Sequence, residues 1–191
     1  MKLNIPTLLT WLRIALIPLF VSVFYLPHHH LSAVAQDFIA TGIFVLAAIT
    51  DWFDGYLARK WQQTSSFGAF LDPVADKLMV AAALVVLVKL QRVDALFAFI
   101  IIGREITISA LREWMAEIGA SKSVAVSYIG KLKTTLQMTA ITVLLFNQPL
   151  IPGLKTPVVG YVLMIVAVIL TLWSMVYYWR QAMASLSSAT R

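Results

Sequence analysis

Four aspartates, Asp51, Asp54, Asp72 and Asp76, lie close together in a chain that is otherwise strongly apolar around them. Asp51 and Asp54 are spaced i, i+3 and Asp72 and Asp76 i, i+4, so on helices each pair shares one face. Converging carboxylates repel one another and are costly to bury unless cations neutralise them. Oxygen ligands suit Mg²⁺ or Mn²⁺, and two such ions are common in phosphoryl chemistry. The aspartates therefore predict a site for two divalent metal ions.

Small residues accompany the carboxylates. Gly55 and Ala58 follow Asp54, and Gly68 precedes Asp72 by four residues. Small side chains leave room for a bulky ligand to lie against the helices, and Arg59 is suited to meet a phosphate. The alternative for the glycines is close packing of one helix on another.

The composition indicates an integral membrane protein. Of the 191 residues, 60% are hydrophobic and 13% charged, whereas soluble domains carry about 25% charged residues. The segment 158–179 contains no charged residue and is long enough to cross a hydrocarbon layer of about 30 Å. The chain has no cysteine, which excludes thiol chemistry. The basic residues are spread between apolar segments, so no nucleic-acid partner is expected.

The apolar segments predict an all-α, polytopic membrane protein in which one domain, residues 1–191, forms a bundle of six transmembrane helices. The predicted spans are 7–26, 34–58, 70–90, 94–115, 128–147 and 155–180.

Lysine and arginine set the expected orientation, because cytoplasmic loops are enriched in them. With a cytoplasmic N-terminus, most of these residues lie on the cytoplasmic side, and Lys89, Arg92 and Lys155 lie on the other. Six spans then place the C-terminus in the cytoplasm, and the aspartates open to the cytoplasm. Tyr177 and Tyr178 are interpreted as part of an aromatic belt at the interface.

The segment 51–76 fits the pattern D-x2-D-G-x2-A-R-x8-G-x3-D-x3-D without a departure. This pattern resembles the signature of the CDP-alcohol phosphotransferase family, whose members are six-helix membrane enzymes with a site that faces the cytoplasm. The resemblance implies that the four aspartates bind two metal ions and that Asp76 is the general base, although the sequence alone does not distinguish it from Asp72. It also implies that the CDP site is lined by Gly55, Ala58, Arg59 and Gly68, with Ser65 near the nucleotide or a phosphate.

Other segments resemble the members of this family that use glycerol phosphate as acceptor. They are NIPTLLTWLR, LDPVADK, REITISALREWMAE and GKLKTTLQM. The resemblance implies transfer of the phosphatidyl group of CDP-diacylglycerol to sn-glycerol 3-phosphate, in the inner membrane of a bacterium and among membrane lipids. It implies a homodimer, and it places the first segment, with Asn4, Thr7 and Thr10, beside the nucleotide.

An acceptor that carries a phosphate needs additional cations. Arg104 lies inside the fourth span, where an unpaired charge is costly, and Arg112 lies further along the same helix. Lys131 and Lys133 begin the fifth span. We expect all four to bind glycerol phosphate. The alternatives are a structural pair of Arg104 with Glu105 or an aspartate, and cytoplasmic anchoring by the two lysines.

Other functions fit parts of the sequence. A different acceptor, phosphatidylglycerol (cardiolipin synthesis) or serine, would keep the family and change the product. A divalent-cation transporter would also bury carboxylates, but these aspartates cluster at one interface and no pair of broken helices suggests inverted repeats. A non-catalytic lipid-binding protein is a third alternative, and the presence of all four aspartates argues against it.

Overall fold

In the computed structural model the described residues contain six α-helices. They are α1 (Ile5–Val23), α2 (Ala33–Trp61), α3 (Ser66–Lys89), α4 (Ala95–Glu117), α5 (Tyr128–Phe146) and α6 (Thr156–Ala189). The backbone is described for residues 5–27, 29–61, 66–118, 128–149 and 155–189. Within these ranges the side chains at 5–7, 54–59, 61, 66, 67, 69, 128, 129, 131 and 185–189 are not described.

The predicted all-α fold is confirmed over the described residues, which form six helices. The N-termini of α4 and α6 show why the helices begin there. Asp94 has extended backbone angles, and its carboxylate accepts a 2.7 Å hydrogen bond from the amide of Leu96, which is a standard N-cap. Thr156 opens α6 and Pro157 follows it, at a position where a missing N–H costs little.

The helices pack so that α1, α2 and α3 form one group, α4 and α5 contact α3 from the other side, and α6 packs on α4 and α5. α1 contacts α2 and α3, α5 contacts α6 and α2, and α4 contacts α6 and α3. One large core runs through the bundle, with Phe20 from α1, Phe44 from α2, Leu84 from α3, Ile101 from α4 and Ile141 from α5 all at most 1% exposed. A smaller core joins the C-terminal half of α4 to α6.

A glycine allows α5 and α6 to approach closely. A Cβ atom added at Gly160 would lie 2.7 Å from Cγ and 2.8 Å from Cδ2 of Leu144, which is buried. At Gly42 in α2 the same added atom would meet nothing within 4 Å. Gly160 is therefore required by packing, and Gly42 is not.

Two helical segments in the described part of the chain are long and apolar enough to cross a membrane, Ala33–Phe53 and Thr156–Ala184. Large apolar side chains also point away from the bundle, among them Trp52, Phe70 and Phe99, which are 65%, 65% and 74% exposed. Contiguous exposed apolar surface marks a face that meets lipid or another protein.

At the end of the bundle where α3 stops and α4 begins, Arg92 and Asp37 form an ion pair that we call the Arg92 clamp. Nη2 of Arg92 donates to both carboxylate oxygens of Asp37, at 2.8 and 2.9 Å. Nη1 donates to the carbonyl oxygens of Leu144 and Leu145, at 3.2 and 3.1 Å. These carbonyls lie in the last turn of α5, where a helix lacks its own donors. The clamp thus ties the start of α2 to the end of α5.

Candidate active site

Arg13 brings two of the predicted aspartates together. Its Nη1 atom lies 2.7 Å from Oδ1 of Asp51 in α2 and 3.3 Å from Oδ1 of Asp72 in α3. Thr10, one turn earlier in α1, donates to the same oxygen of Asp72 at 3.3 Å. The Arg13 side chain is 1% exposed, whereas the carboxylates are 44% and 39% exposed. Three helices therefore converge on a buried cation beneath two accessible carboxylates.

Asp76 lies one turn further along α3 and borders a small cavity between α3, α4 and α5. The cavity has a volume of about 60 Å³ and is lined by Asp76, Lys77, Glu105, Thr134 and Gln137, together with two apolar side chains. Lys77 donates to the hydroxyl of Ser109 in α4. The predicted general base therefore faces the polar side of α4 and α5, where the acceptor-binding residues are expected.

Glu105 joins two of the predicted acceptor-binding cations. Oε1 of Glu105 accepts from Nη1 of Arg104 at 3.0 Å and from Nζ of Lys133. Lys133 is fully buried and Arg104 is 7% exposed. We call Glu105, Arg104 and Lys133 the Glu105 cluster. The ion pair of Arg104 with Glu105 that the sequence allowed is present, and the cluster still carries one more positive charge than negative.

Tyr178 in α6 lies between two arginines of α4. The guanidinium carbons of Arg104 and Arg112 are 5.8 and 5.4 Å from the centre of its ring, within the range of cation–π attraction. Arg104 also donates to the hydroxyl of Ser174 at 3.3 Å. Tyr178 is fully buried, so its interpretation as part of an interfacial belt is wrong: packing between α4 and α6 turns its ring inward.

Gly68 lies in α3 and is half-buried. Other predicted site residues lie outside the residues whose side chains are described, namely Asn4, Thr7, Asp54, Gly55, Ala58, Arg59, Ser65 and Lys131.

The carboxylates of Asp51 and Asp72 have the ligand chemistry that the predicted metal site requires. Among the described residues no three acidic or histidine side chains are grouped closely enough to hold an ion, and Asp54 is outside that set. Asp51 and Asp72, however, already share one positive charge on Arg13. Their exposed oxygens are the type of ligand that a hard divalent ion prefers, so the residues fit such an ion.

The sequence model of CDP-alcohol phosphatidyltransferases matches residues 3–173. The chain belongs to this family. It is 53% identical over 188 residues to proteins named CDP-diacylglycerol–glycerol-3-phosphate 3-phosphatidyltransferase from Shigella flexneri serotype 5b (strain 8401) and Escherichia coli (strain K12). Each match covers 97% of this chain and 98% of the relative. The family expected from the segment 51–76 is confirmed.

Four residues of this site were not predicted as site residues from the sequence: Arg13, Glu105, Gln137 and Tyr178. Glu105 was considered only as a structural partner of Arg104, and Tyr178 only as part of an aromatic belt. The signal for the first three was available, because a polar side chain inside an apolar span is functional by default. Their partners were not predictable, since Arg13 meets Asp72 across 59 residues of sequence and Lys133 meets Glu105 across 28.

Proposed function

We propose that this chain transfers the phosphatidyl group of CDP-diacylglycerol to sn-glycerol 3-phosphate, giving phosphatidylglycerol phosphate and CMP. The observation that carries the proposal is the 53% identity, over almost the full length of both chains, to enzymes named for this reaction. The site supports it, because accessible carboxylates lie beside buried cations in one region of the bundle.

The reaction is a single displacement. The primary hydroxyl oxygen of glycerol phosphate forms a bond to the β-phosphorus of CDP-diacylglycerol, and the bond between that phosphorus and the CMP oxygen breaks. The hydroxyl proton passes to the carboxylate of Asp76, which acts as the general base. The cavity supports this role because Asp76 borders it opposite Glu105 and Gln137.

The four aspartates, Asp51, Asp54, Asp72 and Asp76, would hold two ions of Mg²⁺ or Mn²⁺. When bound, such ions offset the charge that develops on the phosphates during transfer. Arg13 positions the carboxylates of Asp51 and Asp72 from below, so that their remaining oxygens face outward.

The nucleotide half of the donor would lie along the first three helices. In this proposal the residues that contact CDP-diacylglycerol are Gly55, Ala58, Arg59, Ser65, Gly68, Asn4, Thr7 and Thr10. The hydrogen bond from Thr10 to Asp72 supports the assignment of the N-terminal segment to this region.

The phosphate of the acceptor would bind to Arg104, Arg112, Lys131 and Lys133. Glu105 neutralises one of the two charges that it contacts, which leaves Arg104 and Lys133 together able to attract an anion. Among the described residues, Nε of Arg104 and Nε of Arg112 are buried without a hydrogen-bond partner. Buried donors without partners are rare in folded proteins, and they indicate that a ligand supplies the acceptors.

The same proposal covers the setting of the enzyme. The chain would form one domain that crosses the bacterial inner membrane six times, with both termini and the active site on the cytoplasmic side. The exposed apolar side chains and the asymmetric distribution of lysine and arginine support it. A homodimer remains an expectation from the family.

The test uses the purified chain in detergent with CDP-diacylglycerol, Mg²⁺ and labelled sn-glycerol 3-phosphate. We expect label in a phosphatidylglycerol phosphate band and equimolar CMP, both lost on addition of EDTA. Transfer to phosphatidylglycerol or serine, with none to glycerol phosphate, would contradict the proposed acceptor. Flux of divalent cations into liposomes without any transfer would contradict the enzyme itself.

A further inference from the structure

The cavity beside Asp76 contains one polar group that the proposed chemistry does not use. Gln137 is 3% exposed and lies on α5, one turn after Lys133. Its Oε1 atom is buried and has no hydrogen-bond partner among the described residues. Leaving a buried carbonyl oxygen unpaired costs free energy, so an unpaired acceptor that lines a cavity indicates a missing donor.

Three of the other polar groups around the cavity already have hydrogen-bond partners, and the fourth, Asp76, is the proposed general base. Lys77 donates to Ser109, and Glu105 accepts from Arg104 and Lys133. The hydroxyl of Thr134 donates to the carbonyl of Gly130 at 3.0 Å. Apart from Asp76, which the proposed chemistry already uses, Gln137 presents a buried acceptor without a partner among the described residues, and a molecule in the cavity can supply the missing donor.

The cavity limits what that molecule can place there. Its volume of about 60 Å³ exceeds the ~15 Å³ of probe space that one water needs, but a phosphate together with a glycerol chain is larger. A hydroxyl-bearing carbon fits it. Asp76 borders the same cavity, so the group that meets Gln137 lies next to the hydroxyl that loses its proton.

We propose that Gln137 is a specificity-determining residue that accepts a hydrogen bond from the central hydroxyl of the acceptor and thereby presents the terminal hydroxyl to Asp76. This inference rests on the proposed function and names the subsite that distinguishes a vicinal diol phosphate from a simple alcohol phosphate. No bond is made or broken at Gln137. Its role is to orient the acceptor and to reject molecules that leave its oxygen unpaired.

The experiment compares two acceptors, sn-glycerol 3-phosphate and 3-hydroxypropyl phosphate, which lacks only the central hydroxyl. For the unmodified chain we expect kcat/KM to favour glycerol phosphate about tenfold, the effect of one lost hydrogen bond. In Gln137→Met, which keeps the length of the side chain and removes the acceptor, the preference should fall to near one while KM for CDP-diacylglycerol stays constant. If the role of Gln137 were purely structural, the substitution would lower kcat/KM for both acceptors by the same factor.

Thr139→Val is the matched control, because Thr139 is on the same helix, is exposed, and donates to the carbonyl of Thr135 in its own helix at 2.8 Å. It should keep the full preference. A preference that persists in Gln137→Met, or equal use of both acceptors by the unmodified chain, would overturn the inference alone. The comparison of the two acceptors with the unmodified chain does not depend on the folding of any variant. Absence of transfer to glycerol phosphate by the unmodified chain would instead overturn the proposed function.

Discussion

The Arg92 clamp and the Glu105 cluster are both buried ion pairs between helices, but they differ in how completely their charges are satisfied. In the clamp one arginine meets one carboxylate through two hydrogen bonds and fills two carbonyls at the end of α5. In the cluster two cations share a single oxygen of Glu105, and a buried Nε of Arg104 has no described partner. The balanced pair ties α2 to α5, whereas the cluster keeps an excess positive charge, to which we assign the acceptor phosphate.

The largest effect on activity is expected from Asp76→Asn, which removes the proposed general base. Turnover should fall by about 100-fold or more, with no comparable loss of thermal stability, since Asp76 is exposed and belongs to no ion pair in the described structure. The matched control is Asp94→Asn at the N-terminus of α4, near the Arg92 clamp, where asparagine caps a helix as well as aspartate. Equal loss of transfer in both variants would contradict a specific role of Asp76 in the reaction.

The largest effect on stability is expected from Arg92→Met, which leaves the buried Asp37 carboxylate without its partner. The free energy of unfolding should fall by about 3 kcal/mol or more, whereas KM for glycerol phosphate in the folded fraction should stay constant. Thermal unfolding in detergent measures the change in stability, and initial rates measure KM. Replacing both residues by leucine should restore much of the stability, because no buried charge then remains. A normal melting temperature for Arg92→Met would show that the clamp is not structural.

Arg112→Ala tests whether the positive charge near the Glu105 cluster binds the acceptor phosphate. Loss of a charged hydrogen bond to the acceptor phosphate should raise KM for glycerol phosphate about tenfold, and far more than KM for CDP-diacylglycerol. Arg180→Ala, an exposed arginine on α6, serves as the control for general loss of positive charge. Equal changes in the two KM values would contradict the assignment of Arg112 to the acceptor.

The smallest effect is expected where packing near the clamp is changed without touching a charge. Gly160→Ala should lower the free energy of unfolding by about 1 kcal/mol, since the new methyl group displaces Leu144, whose carbonyl accepts from Arg92. Gly42→Ala, with open space around it, should stabilise the helix slightly. Both variants should keep their activity. If the order of stability were reversed, the close approach of α5 and α6 would not limit position 160.

The helices were predictable because apolar length and polar breaks carry the signal. The first five helices end within a few residues of the ends of the predicted spans. The sixth helix runs on to Ala189, beyond the predicted end at 180, because neither glycine nor proline interrupts the segment that follows Arg180. Hydropathy marks where a span leaves the membrane, whereas a helix continues as long as its residues allow.

The candidate site was predictable in its residue types and only partly in its pairings. The spacing of the aspartates indicated two faces that would meet, and Asp51 and Asp72 do so. That Arg13 would be the cation between them depends on how α1 docks against α2 and α3, which no local pattern encodes. Tyr178 shows the same limit, because its position near the end of a span fits a belt equally well, and only the packing of α4 on α6 buries it.

The proposed acceptor site is tested most directly by the binding of sn-glycerol 3-phosphate to the chain carrying Asp76→Asn, measured by calorimetry with Mg²⁺ present and no donor. We expect saturable binding that inorganic phosphate displaces. This binding should be weakened about tenfold when Arg112→Ala is added and unchanged when Arg180→Ala is added instead. Binding that is insensitive to Arg112, or equally weakened by both additions, would contradict the claim that the unsatisfied cations of α4 hold the acceptor.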